Sequence, residues 1–189
     1  KVKMVYLFLA DGFEEVEALT QVDYLRRAGV YVTTVGVTGE YVTGTRGITV
    51  KADALLENTA FCGDVEMIIL PGGLGGVNNM KASAKVVETI KCAANNGKYI
   101  AAICAAPTIL AELGLLRGKK CICYPDMTDI LVEHGGLCED KAVVIDGNFI
   151  TSKSAGTAEQ FALSLIEILC GKDASEKVRH SIYARNPKE

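Results

Sequence analysis

Lys98-Tyr99-Ile100-Ala101-Ala102-Ile103-Cys104-Ala105-Ala106-Pro107-Thr108-Ile109-Leu110 is the stretch whose reading decides the fold. Ile100 to Ile103 is a short apolar run without polar alternation, the pattern of a strand covered on both faces. Pro107 sits where a helix tolerates proline, in the first turn, where the missing N–H is no loss. Alanines at 101, 102, 105 and 106 flank Cys104 with small side chains, as a chain that doubles back sharply requires. The segment therefore predicts a buried strand that turns at Cys104 straight into a helix. At a helix N-terminus, free N–H groups and the dipole favour a thiolate. Most free cysteines are small core hydrophobes; the small-residue elbow argues for a functional thiol instead.

Working outward, Val2 to Ala10 predicts strand one, and a helix follows from about Glu14 to Ala28. Its apolar face is expected at Val16, Leu19, Val22 and Leu25, at helical spacing. Glu14, Glu15 and Glu17 crowd its first turn, where acids complement the dipole. Dipole balance does not explain why Glu17 should lie on a different face from Glu14. Gly29 closes the helix, and Val30 to Val37 is a β-branched strand. Strand, helix and strand joined by short loops signal a parallel sheet.

Tyr41 to Val50 reads as a hairpin turning at Gly44 and Gly47, and Asp53 to Phe61 as irregular or a short helix. Val65 to Leu70 is a buried strand running into Pro71-Gly72-Gly73-Leu74-Gly75-Gly76. That loop matches neither the dinucleotide fingerprint nor the P-loop; its glycines suit close approach of backbone N–H groups to a ligand. Helices are expected at Ala82 to Asn96, after Cys104 to Leu113, at Asp129 to His134, at Thr157 to Cys170 and at about Ala174 to Ala184. Lys120 to Cys123 is a strand, and Ala142 to Ile145 pairs with Asn148 to Ser152 across Asp146-Gly147, a strong hairpin signal.

The 189 residues carry a net charge of −3, which offers no attraction to nucleic acid or an anionic membrane surface. No apolar stretch reaches the roughly 20 residues that span a bilayer. No repeat, low-complexity segment or linker interrupts the chain, so residues 1–189 read as a single domain. Seven cysteines without a CxxC pair or a secretory pattern read as reduced thiols of a cytoplasmic protein. Cys121 and Cys123 share one face of their strand; with no second ligand pair at zinc-like spacing they are expected as core residues, and no metal site is expected.

The segments Ala10-Asp11-Gly12-Phe13-Glu14-Glu15-Val16-Glu17, Leu70-Pro71-Gly72-Gly73 and Ala101 to Pro107 together resemble the DJ-1/ThiJ/PfpI superfamily. Within it, the chain is similar to the branch of the Parkinson's-disease-associated protein deglycase and its bacterial relatives. The match runs nearly the whole length, to Thr151-Ser152 and Gly156-Thr157. The resemblance implies a flavodoxin-like, three-layer α/β sandwich: a mostly parallel sheet with a C-terminal hairpin and flanking helices. It implies a homodimer and no cofactor.

The same resemblance assigns the reactive cysteine to Cys104 and its protonated carboxyl partner to Glu17. It assigns oxyanion donors to the N–H groups of Gly73 and Ala105, and pocket positions to Gly72, Tyr124, Arg46 and Arg27, with Arg26 beside them. The activity implied is a cofactor-independent glyoxalase or deglycase acting on small reactive carbonyls such as methylglyoxal. The first alternative is a redox-sensing or protective protein that meets an oxidant and forms cysteine sulfinic acid. The second is a cysteine amidase or protease. That one is weakened because Tyr124 stands where several relatives carry a histidine, and His134 and His180 fall in segments away from the expected site.

Overall fold

The computed structural model describes residues 3–60 and 64–185. Val2, Phe61 and Cys62 lie outside them. In chain order the elements are β1 (Met4–Leu9), α1 (Glu15–Arg27), β2 (Tyr31–Gly36), β3 (Tyr41–Thr43), β4 (Thr49–Lys51), β5 (Ala54–Leu55) and β6 (Val65–Leu70). Then come α2 (Leu74–Ala82), α3 (Ala84–Asn95), β7 (Tyr99–Ile103), α4 (Pro107–Glu112), β8 (Lys120–Cys121), α5 (Thr128–Glu133), β9 (Leu137–Cys138), β10 (Val143–Asp146), β11 (Phe149–Ser152), α6 (Ala158–Cys170) and α7 (Lys172–Ser181).

Seven strands form the central sheet in the order β10-β11-β7-β6-β1-β2-β5. All pair in parallel except β10 with β11, the expected hairpin. The sheet is covered on both faces, which is why β1, β6 and β7 read as apolar runs rather than alternating ones. One face carries Phe8, Ile68, Leu70, Ile100 and Ala102 against Val77, Val86, Ile90 and Ile109 of α2, α3 and α4. The other carries Leu7, Leu9, Ile69, Ala101 and Ile103 against Ala18, Leu25, Phe161, Leu165 and Val178 of α1, α6 and α7. This is the three-layer, flavodoxin-like sandwich the resemblance implied.

The structure corrects four expectations. The inward face of α1 is not Val16-Leu19-Val22-Leu25: Val16 is 50% exposed, while Glu15, Glu17, Ala18 and Gln21 are buried with Val22 and Leu25. Three polar side chains have displaced the apolar stripe because each has work inside. The glycine loop ends early, since Leu74 already opens α2, and Ser83 caps a separate α3 by accepting from the Val86 N–H. Gly75 and Gly76 lie in the first turn of α2, where a Cβ would fall 3.3 Å and 2.9 Å from the backbone of Gly12 and Phe13. The stretch after Asp53 holds the expected short helix, a 3₁₀ turn at Leu56–Asn58, but first adds β5 to the sheet edge beside β2. Finally, the strand expected at Lys120 to Cys123 is only two residues long and pairs with β9 in a separate two-stranded sheet beside β10 and β11.

Candidate active site

Three carboxyl-edge segments converge: the elbow after β7, the glycine turn after β6 and the start of α1. At the elbow, Cys104 has φ +64°, a left-handed conformation for a residue with a Cβ. Such a conformation costs of order 1–3 kcal/mol and survives only where neighbours hold it. Here both of its backbone groups are tied: the Cys104 N–H donates to Ser152 O at 3.0 Å, and its carbonyl accepts from the Tyr124 N–H at 2.8 Å. Pro107 is the first residue of α4, as expected, but Cys104 lies in the turn ahead of it rather than in the helix. The N–H groups that reach the sulfur are those of Ala105, next along the elbow, and Gly73, the N-cap of α2.

Glu17 is 1% exposed in the first turn of α1. Its Oε2 accepts from the Gly72 N–H at 2.9 Å, the Ala155 N–H is a second donor, and its carboxyl is hydrogen-bonded to the Cys104 thiol. Gly72 makes this approach possible, because a Cβ there would fall 2.2 Å from Glu17 Oε2 and 2.6 Å from Cys104 Cβ. Glu14 is the N-cap of α1, and its carboxylate accepts from the Glu17 N–H at 2.8 Å. The two acids are therefore neighbours rather than residues of different faces.

Burial, more than any charge, raises the Glu17 carboxyl from its ordinary 4.5 to about 7, with the Glu14 charge adding to it. The Cys104 thiol goes up to about 12, first through burial, then through the charge and hydrogen bond of Glu17, against the Ala105 and Gly73 N–H groups. The depression expected from a helix N-terminus alone is thus outweighed while Glu17 is ionised. The two groups titrate as a pair. From about 7 to about 12 the pair holds one proton and one negative charge. With that proton on Glu17, the carboxylate charge that opposes the thiolate is gone, and the acid becomes a donor to sulfur beside the two backbone N–H groups.

The other expected residues divide. Tyr124 joins the site through its backbone, and the residue is 40% exposed. Arg46 lies in the β3–β4 turn with its side chain exposed; its N–H donates to Glu15 Oε1 at 2.7 Å. Arg27 is not brought to the site: it lies ten residues beyond Glu17 on α1, about 15 Å along the axis, and pairs with Asp23. Arg26 instead pairs with Asp53. His134 caps α5, its ring bonded to Ile130 O, and His180 is exposed on α7; neither acts on Cys104.

Sequence reasoning missed three contributors. Glu15 is buried, and its carboxylate holds the turn that carries Arg46 by accepting from the Arg46 and Ile48 N–H groups. Ser152, the last residue of β11, holds Cys104, and Ala155 holds Glu17 from the turn before α6, which the reciprocal hydrogen bonds of Ser154 and Thr157 fix in shape. The signal for that loop was the Ser-x-x-Thr spacing of a helix cap.

The DJ-1/PfpI family model matches residues 3–168. Protein dj-1beta of Drosophila melanogaster is 42% identical over 177 residues, 93% of this chain and 94% of that protein. The Parkinson disease protein 7 homolog of Danio rerio is 37% identical over 187 residues, covering 97% and 98%. Among solved structures, the crystal structure of Drosophila DJ-1beta is similar with a TM-score of 0.94 at 40% identity, covering 98% of this chain and all of that one. Oxidized Toxoplasma gondii DJ-1 is similar at 0.90 and 33% identity, covering 98% of this chain and 100% of that one.

Proposed function

We propose, from the premise that this chain belongs to the DJ-1/PfpI family, that it is a cofactor-independent glyoxalase or deglycase-type enzyme acting as one unit over residues 1–189. The observation that carries this reading is the buried Glu17 carboxyl bonded to the Cys104 sulfur and raised to about 7. A general acid–base works best with a pKa near the operating pH. Cys104 thiolate attacks the aldehyde carbon of methylglyoxal, forming a C–S bond and an alkoxide. Once sulfur has given up its charge, the Gly73 and Ala105 N–H groups are free to hold the neighbouring oxyanion. Glu17 gives its proton to that oxygen, removes the hydrogen of the same carbon as a proton, and a proton is returned to the adjacent carbon. The product is a lactoyl thioester. Water cleaves it to lactate and restores the thiolate, so no external electron acceptor enters.

The test is lactate formation from methylglyoxal without added thiol by the reduced wild type, Cys104→Ala and Glu17→Gln. Turnover by the wild type and its loss in both variants is expected. A reduced wild type at background level overturns the reading. Deglycation would use the same residues on glycated side chains.

A second reading has its own support: a protonated Glu17 is placed to donate to an oxidised Cys104 sulfur, and a similar structure is an oxidized DJ-1. Under mild peroxide a sensor would gain two oxygens on Cys104 as a stable sulfinic acid. Mass spectrometry that finds no sulfinic acid at Cys104, or finds it spread over the other cysteines, removes this reading. The family premise and the half-exposed Val16 on α1 support a homodimer, which sedimentation measures directly. The free thiols suit a reducing, cytoplasmic setting. Among the described residues, no helix is long and apolar enough to cross a membrane.

A further inference from the structure

A second group of thiols lies across the sheet from Cys104. Cys104 packs with the α1, α6 and α7 layer, whereas Cys121 and Cys123 belong to the opposite core. The short parallel pair β8–β9 sets Cys121 directly against Cys138. Neighbouring strands stand about 4.8 Å apart, within the Cα separation of roughly 4.4–6.8 Å that a disulfide accepts. Cys121 is fully buried and Cys138 is exposed. The two thiols act on one another, the Cys121 S–H toward Cys138, whose own Sγ also lies 3.9 Å from Thr128 O. Gly136 leaves the space: a Cβ there would fall 2.8 Å from Cys121 Sγ. Cys123 is also near Cys138, but its thiol donates to Tyr124 O at 3.3 Å.

We infer that Cys138 and Cys121 form a peroxide-responsive dithiol–disulfide site, with Cys138 as the attacking thiol and Cys121 as the resolving one. The Cys138 thiolate attacks a peroxide oxygen, the O–O bond breaks, and the products are Cys138 sulfenic acid and hydroxide. The Cys121 sulfur then displaces the sulfenic oxygen, which leaves as water with the Cys121 proton. The two thiols are oxidised by two electrons and one hydrogen peroxide is reduced to two waters. Exposure sets this order, since a peroxide reaches Cys138 and not the buried Cys121; burial and the Asp129 charge raise the Cys138 thiol, and the Cys121 S–H opposes that rise. The site also touches the elbow: Ile122 N–H donates to Thr151 Oγ1 at 3.0 Å, and Tyr124 N–H holds the Cys104 carbonyl. A bond at Cys121 therefore staples the segment that supports Cys104.

Trypsin does not cut between Cys121 and Lys141, so all three cysteines fall on one peptide. The full chain, reduced and then exposed to hydrogen peroxide, should be alkylated and digested without reductant. The expected result is that this peptide loses two hydrogens. Further cleavage before Asp126 and Asp129 should leave the Cys121 and Cys138 fragments joined, and dithiothreitol should separate them. The linkage should persist in Cys104→Ala and Cys123→Ser and vanish in Cys138→Ser. Full alkylation of Cys121 and Cys138 after peroxide has oxidised Cys104 overturns the inference. So does a linkage that joins Cys123 instead.

Discussion

Cys104 and Cys138 are both thiols at the edge of a strand, yet their partners differ. Cys104 faces a carboxyl, Glu17, and two backbone N–H groups; Cys138 faces a second thiol, Cys121. A carboxyl can hold, give and take a proton, and it cannot resolve an oxidised sulfur. A thiol can resolve one but is a poor proton shuttle near neutrality. The partner therefore underlies the chemistry proposed for each: acid–base turnover or a stable sulfinic acid on one face, and a reversible disulfide on the other. The lesson is that a cysteine's place in the fold says less about its role than the group nearest its sulfur.

The comparison breaks most visibly if the two sites can be exchanged. Cys104→Ala should lower lactate formation by about 10³-fold or more, the scale seen when a nucleophile is removed. Cys138→Ser should leave it unchanged while abolishing the peroxide-dependent linkage. Equal losses in both variants would mean that the two thiols act as one site.

Glu17→Gln sharpens the role of the carboxyl. Without a proton to exchange, turnover should fall by about 10²- to 10⁴-fold. In the wild type, turnover should rise as pH increases through about 7, where the pair loses its first proton, and the variant should lack that rise. Stability gives the matching sign. The folded carboxyl sits near 7 against an ordinary 4.5, so the native state binds more protons between those values. Stability should fall as pH rises through that window and level off above it, by about 3 kcal/mol in all. Glutamine mimics the protonated acid, so urea midpoints of wild type and variant should converge near pH 4.5 and diverge by pH 8.

The fold was legible because a parallel sheet covered on both faces writes its central strands as apolar runs, as in Val65 to Leu70 and Ile100 to Ile103. The elbow was legible through its alanines and Pro107. What stayed hidden on α1 has a physical cause: side chains chosen for polar contacts break the periodicity that signals burial. Glu15, Glu17 and Gln21 point inward because the Arg46 N–H, the Gly72 N–H and the Ala158 carbonyl await them, and no hydropathy pattern records those partners. Two-residue strands such as β8 and β9 are too short to have a period at all. The Cys121–Cys138 register therefore emerged only from the structure.

Gly72→Ala should act on one site alone. The added methyl must displace Glu17 or Cys104, an overpacking cost of about 1–3 kcal/mol, and it should separate the carboxyl from the sulfur. Thermal denaturation should show the loss, and the pH dependence of stability should weaken with it. Peroxide linkage of Cys121 to Cys138 should survive. Loss of that linkage would show that the elbow and the β8–β9 pair form a single unit.

The smallest effect is expected at Arg27. The resemblance placed it with Arg46 near the pocket, but the structure gives the two arginines different surroundings. Arg46 sits in a turn that the buried Glu15 carboxylate holds close to the start of α1. Arg27 is one turn beyond Asp23, in an exposed pair at 3.1 Å, and a helical pair of this kind contributes about 0.3–0.5 kcal/mol. Arg27→Ala should shift the urea midpoint by no more than that and leave both kcat and KM for methylglyoxal, and the thiol linkage, unaltered. A raised KM in this variant, measured on the assembled protein, would mean that Arg27 reaches the Cys104 pocket of a second copy. The carboxyl-paired site would then be built from two chains, whereas the Cys121–Cys138 pair is complete within one.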